Sequence, residues 1–147
     1  MSPNHPATSR RLDAGLTILR VVTGIIFAAH GGQKLFVHGL DGVAGAFAQM
    51  GIPMASVVGP LVALVELLGG LALIAGLFTR LSAVGLAITM LGAIFLVHIG
   101  GGFFAPEGIE FNLALLGASL TLVLTGAGAF SADGMMAGRD AVAARAR

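Results

Sequence analysis

Residues 57–78, VVGPLVALVELLGGLALIAGLF, carry a single ionisable side chain, Glu66, in a run of bilayer-spanning length. A helix rises 1.5 Å per residue, so about 20 apolar residues cover a hydrocarbon core ~30 Å thick. Three more runs have the same character: residues 14–37, 81–99 and 111–130. Inside lipid every backbone N–H and C=O must find a partner within the structure, which leaves helices or a closed barrel. A barrel needs many short alternating strands, and the chain has no such pattern. The expected fold is therefore all-α, a four-helix transmembrane bundle. Composition agrees: 56% of the 147 residues are hydrophobic and 10% charged, against about 25% charged in a soluble domain.

The chain has room for one domain. A four-span membrane domain is expected over residues 12–134, between an N-terminal tail at 1–11 and a C-terminal tail at 135–147. Arg10-Arg11 before an apolar stretch resembles the start of a signal peptide. Arg20 interrupts that stretch, however, and a signal core is about 7–15 uncharged residues, so the run is read as a retained span. Arg10, Arg11, Arg80, Arg139, Arg145 and Arg147 fall on one side of a four-span layout, six of the eight basic residues. By the positive-inside bias both termini are cytoplasmic. The 81–99 span follows the 57–78 span after only Thr79-Arg80, which predicts a tight hairpin. In the first outer loop, Asp41 could cap a short interfacial helix carrying Val43, Phe47 and Met50 on one face, with Gly51 and Pro53 as stops. An ordinary loop with apolar anchors fits that stretch equally well.

With no Cys in the chain, disulfides, thiolate metal sites and CxxC redox pairs are excluded for it. No dense basic patch suggests nucleic acid. His30, His98, Glu66 and Glu110 are metal-ligand types, but none sits at a short ligand spacing, so no metal site is expected.

The informative residues are ionisable ones inside the spans. Arg20 lies roughly 9 Å into the first span from one side, and Glu66 roughly 14 Å into the second from the other. Charges at such depth usually face the bundle interior and pair, so Arg20 is expected to meet Glu66. At 100° per residue, Lys34 and His30 fall within roughly 80° of Arg20 around the first helix. With His98, Glu110 and Asn112 near the outer ends of their spans, these side chains can all reach a polar pocket in the outer half of the bundle. Glu66, His30 and His98 are the candidate proton-handling groups; Arg20, Lys34 and Glu110 are the candidate ligand contacts. A purely structural Arg20–Glu66 pair and snorkelling of His30, Gln33 and Lys34 to the headgroups are the alternatives, and for Gln33, His38 and Asn112 the structural reading is preferred.

The patterns LRVVTGIIFAAHGGQKLF, ELLGGLALIAGLFTRLSA and GAGAFSADG, in that order over about residues 12 to 134, resemble the DoxX family of small bacterial membrane proteins. The resemblance implies a four-helix domain in the bacterial inner membrane. It marks Arg20, His30, Gly31, Lys34, Glu66, Gly69, Gly70, Arg80 and Asp133 as family-type positions. It also implies a link to quinone-coupled oxidation, as the membrane part of an oxidoreductase. The leading expectation is thus a membrane redox subunit with a quinone-like ligand, no covalently bound cofactor, and a protein partner or a second copy of the chain supplying what it lacks. A membrane scaffold and, less readily, a small-solute carrier are the alternatives.

Overall fold

The computed structural model describes residues 6–145, with side chains over residues 9–138. Helix α1 (Pro6–Gly32) passes into a wider π-helical stretch, Gln33–His38, and then α2 (Gly39–Gln49). Helix α3 (Ala55–Ala75) is followed by α4 (Thr79–Ala93), which ends in a second π stretch, Ile94–His98, and a single 3-10 turn, Ile99–Gly101. Helices α5 (Glu110–Thr125) and α6 (Ala132–Arg145) complete the chain. No strand occurs among the described residues. Three helical runs, Ser9–Gln49, Ala55–Ala75 and Thr79–Gly101, are long and apolar enough to cross a membrane; α5 is apolar but shorter, at 16 residues.

Helices α1, α3, α4 and α5 alternate in direction and pack as a ring in that order, with α5 returning against α1. Glycine sets the α1–α3 contact. A Cβ at Gly24 would lie 2.7 Å from the Gly70 carbonyl oxygen, and Cβ atoms at Gly31 and Gly70 would fall on the backbones of Leu67 and Ala28. Small residues let membrane helices approach this closely, and dispersion then holds them together. Phe27, Leu73, Leu86 and Leu122 fill the centre, while Ile18, Leu68, Ile88 and Leu124 point outward, as a lipid-facing surface requires. One end of the bundle, the terminal end, holds the α3–α4 turn and the α5–α6 connector. The other, the loop end, holds α2 and residues 102–109.

Three boundaries differ from the sequence expectation. The hairpin turn is Gly76–Phe78 rather than Thr79-Arg80: Gly76 closes α3 in the left-handed region at φ 68°, where lack of a Cβ removes the steric cost. The first span does not end in a loop, because helix continues through the π stretch and bends only at Gly39 (φ 70°). Asp41 is therefore not a cap; His38 precedes α2 and makes no side-chain cap bond. Gly51, at φ 74°, does follow the end of α2. The fourth helix stops at Thr125 instead of reaching residue 130, because Gly126 and Gly128 both take positive φ. Helix α2 folds back on the start of α3, with Val43 buried against Gly59. Of the basic residues used to orient the chain, Arg139, Arg145 and Arg147 lie outside the described side chains.

Candidate functional site

Two groups of buried polar side chains occupy opposite ends of the bundle. At the terminal end the Arg20 guanidinium, 2% exposed, donates to Leu73 O at 2.6 Å and Ile74 O at 2.7 Å through Nη1, and to Phe130 O at 2.9 Å through Nη2. It closes the carbonyl end of α3, where unpaired acceptors and the negative end of the helix dipole favour a cation. Asp133 does the reciprocal job for α4. Its carboxylate accepts from Phe78 N at 2.8 Å and Thr79 N at 2.9 Å, the orphan donors of a helix start, and so holds Phe78 in the left-handed region at φ 48°. Asp13 accepts from Ala129 N at 2.9 Å, and Asp133 N donates to Gly76 O. Together these bonds tie α1, the α3–α4 turn and the α5–α6 connector into one knot.

Arg20 therefore does not meet Glu66. Gly24 lies against Gly70 in the antiparallel α1–α3 pair, and Arg20 and Glu66 each come four residues earlier in sequence. In opposite-running helices those positions move apart, by about eight residues or roughly 12 Å along the axis. Lys34 is the cation that reaches Glu66: its Nζ donates to Oε2, and the Glu66 side chain is 5% exposed against 22% for Lys34.

That ion pair lies on the wall of a cavity of about 710 Å³ in the loop half of the bundle. The volume falls within the range of small-molecule sites, roughly 300–1,000 Å³. Most of the lining is apolar, from Phe27, Phe47, Val62, Val65, Phe111 and Leu115 among others; the polar contributors are His30, Lys34, Glu66, Thr89, His98 and Asn112. His30 is exposed on the wall and tilted against Phe111, with ring centroids 5.9 Å apart. His98 Nδ1 lies 3.0 Å from Glu107 O. A carbonyl only accepts, so this bond places hydrogen on Nδ1 and leaves Nε2 with the lone pair in the neutral ring. Lys34 falls inside one π stretch and His98 closes the other. Such widened turns are frequent at functional sites.

Of the six residues singled out from sequence, the cavity gathers Glu66, Lys34, His30 and His98. Arg20 is committed to backbone at the far end. Glu110 accepts from Ala105 N at 2.8 Å through Oε1 and so holds the loop rather than lining the cavity. Asn112, within reach of the same half of the bundle by sequence but read there as structural, also lines the cavity: it is 7% exposed and makes no side-chain hydrogen bond among the described residues. The signal was present, a carboxamide one step inside an otherwise apolar helix, but its rotation toward α1 and α4 could not be read from one helix alone.

The DoxX family model matches residues 15–99. The Bacillus subtilis (strain 168) protein named "Putative oxidoreductase CatD" is 37% identical over 118 residues, 80% of this chain and 84% of that protein. The inner membrane proteins YqjF and YphA of Escherichia coli (strain K12) are 35% and 32% identical, over 84% and 80% of this chain and 93% and 87% of their own lengths. No solved structure matches the chain. With more than half its length under the family model and relatives above 30% identity across four-fifths of it, the chain belongs to the DoxX family of membrane proteins.

Proposed function

We propose that the protein is an integral membrane subunit of a redox system and that its cavity binds a quinone-like ligand. The observation that carries this reading is an ion pair between half-buried Lys34 and buried Glu66 on the wall of a largely apolar cavity. Charge inside a membrane domain is costly and marks function by default. Here the pair stands beside volume enough for a ring and part of a tail. The residues present suit such a group: Asn112 has an unused carboxamide, Lys34 has further N–H donors, and Glu66 Oε1 accepts no hydrogen bond among the described residues. A quinone, when bound, supplies the capacity to accept two electrons and two protons. The chain's own part is to bind and orient the head, to exclude water with Phe27 and Phe111, and to hold protons at Glu66, His30 and His98. Electrons come from a partner protein. The relative named as an oxidoreductase points the same way.

Mass spectrometry of the gently extracted protein is the direct test. Co-purified quinone, lost on Glu66→Gln substitution in a protein that still folds, is the expected result. Protein with no bound quinone, and no quinone-dependent activity with any co-purifying chain, would sink the reading.

A further inference from the structure

The cavity is not equally closed on all sides. Near the terminal end its two long walls touch: a Cβ at Gly69 of α3 would lie 3.2 Å from Leu86 Cγ, and one at Gly85 of α4 would lie 3.3 Å from Val65 Cγ1. Two turns farther along α4, a Cβ at Gly92 would meet nothing within 4 Å. Gly92 also lines the cavity, so the α4 wall has open space beside it there. Leu61 of α3, Ile88 of α4 and Leu96 beyond it line the cavity, yet they are 56%, 64% and 55% exposed. Side chains that belong both to a cavity wall and to the outer surface mark an opening. This one is flanked by Leu64, Val84, Leu91 and Phe95, all exposed and apolar, so it faces the acyl chains.

The loop end is covered instead. Phe47 and Ile52 reach over the cavity from the α2 side, and Pro106 and Gly108 from residues 102–109. That loop is tied down by Ile109 N to Gly102 O, Glu110 N to Phe103 O, His98 to Glu107 O and Ala105 N to Glu110. At the cavity's polar wall Asn112 is 7% exposed as a residue, and its carboxamide makes no hydrogen bond among the described residues. A ligand oxygen in the cavity can take up that unused hydrogen-bonding capacity.

We propose that the cavity is loaded sideways from the bilayer through the α3–α4 cleft, by a long-tailed amphiphile whose tail lies along the cleft and whose carbonyl or hydroxyl head hydrogen-bonds Asn112. This rests on the reading of the cavity as a ligand site and names the class of ligand and its route. The carboxamide suits either head, since Nδ2 donates to a carbonyl and Oδ1 accepts from a hydroxyl. The apolar opening supplies the route, because a tail can stay in an apolar medium throughout, whereas a water-soluble solute would have to displace the roof.

The full chain, reconstituted in lipid nanodiscs, is titrated with three probes: a benzoquinone with a long alkyl tail, the same ring without a tail, and a long-chain alcohol. Gly92→Phe fills the cleft where the backbone leaves room. It is expected to weaken the tailed quinone at least tenfold, about 1.4 kcal/mol, and to leave the tailless ring within about twofold, since the head site is untouched. Asn112→Leu is expected to weaken all three probes by about 3- to 10-fold, the size of one hydrogen bond. Thermal unfolding confirms that both variants remain folded. If the tailless ring binds as tightly as the tailed one and Gly92→Phe changes neither, the lateral route is wrong and the quinone reading survives. If the alcohol binds and neither quinone does, the route stands and the redox reading falls. Failure of all three probes removes both.

Discussion

The terminal end and the loop end spend their buried charges differently. At the terminal end, Arg20 and Asp133 are consumed by backbone: three carbonyls on one, two amides on the other. Arg20 Nε and Thr79 Oγ1 stay unpaired there among the described residues but are sealed inside the packing, and the product is a fixed junction between helices. At the loop end the Lys34–Glu66 pair keeps unused donors and an unused acceptor beside a cavity, and Asn112 makes no side-chain hydrogen bond among the described residues. Both regions hold ionisable residues inside apolar helices, Arg20 in α1 and Glu66 in α3. Hydrogen-bonding capacity that faces a cavity, rather than charge or depth, separates a structural knot from a binding site.

Substitutions sharpen or break that contrast. Arg20→Met should have the largest effect, about 3–5 kcal/mol of stability, because it strands the carbonyl end of α3; unfolding titrations in mild detergent would measure it. An unchanged midpoint would erase the distinction between the two ends. Glu66→Gln should cost about 1–3 kcal/mol, because the Lys34 ammonium loses its carboxylate while the carboxamide oxygen can still accept from it, and quinone-dependent turnover with the native partner should fall about 100-fold through loss of a proton-carrying group. Asp133→Ala should cost about 2 kcal/mol, two lost cap bonds at about 1 kcal/mol each, with ligand affinity per folded molecule unaltered. Asn112→Leu should have the smallest effect on folding and the opposite sign: up to about 1 kcal/mol more stable in the same titration, since an unpaired amide leaves the interior. A destabilised Asn112→Leu protein would mean that the carboxamide serves the fold.

Much of the architecture could be read from residue types. The four apolar runs fall on α1, α3, α4 and α5, and the glycines of GLTILRVVTGIIFAAHGG and ELLGG do bring α1 and α3 into backbone contact. Four of the six chosen site residues share one cavity. The pairing of charges was misjudged for a specific reason. Depths counted from assumed span ends placed Arg20 near Glu66, but α1 starts at Pro6, and the crossing is set where Gly24 meets Gly70. An error of a few residues in each helix doubles when the helices run in opposite directions. The 100° rotation did put Lys34 and His30 on one face, and both line the cavity, although Lys34 sits in a π stretch of wider turn.

Sequence alone determined that the chain is helical and at home in a membrane, since apolar length and the demand that every amide be paired admit no other local structure. Tertiary structure alone decided which cation meets Glu66, that Arg20 seals a helix end, and that Asn112 faces a cavity. Those outcomes depend on the register of helices touching through glycine, and no local pattern encodes register to better than a turn.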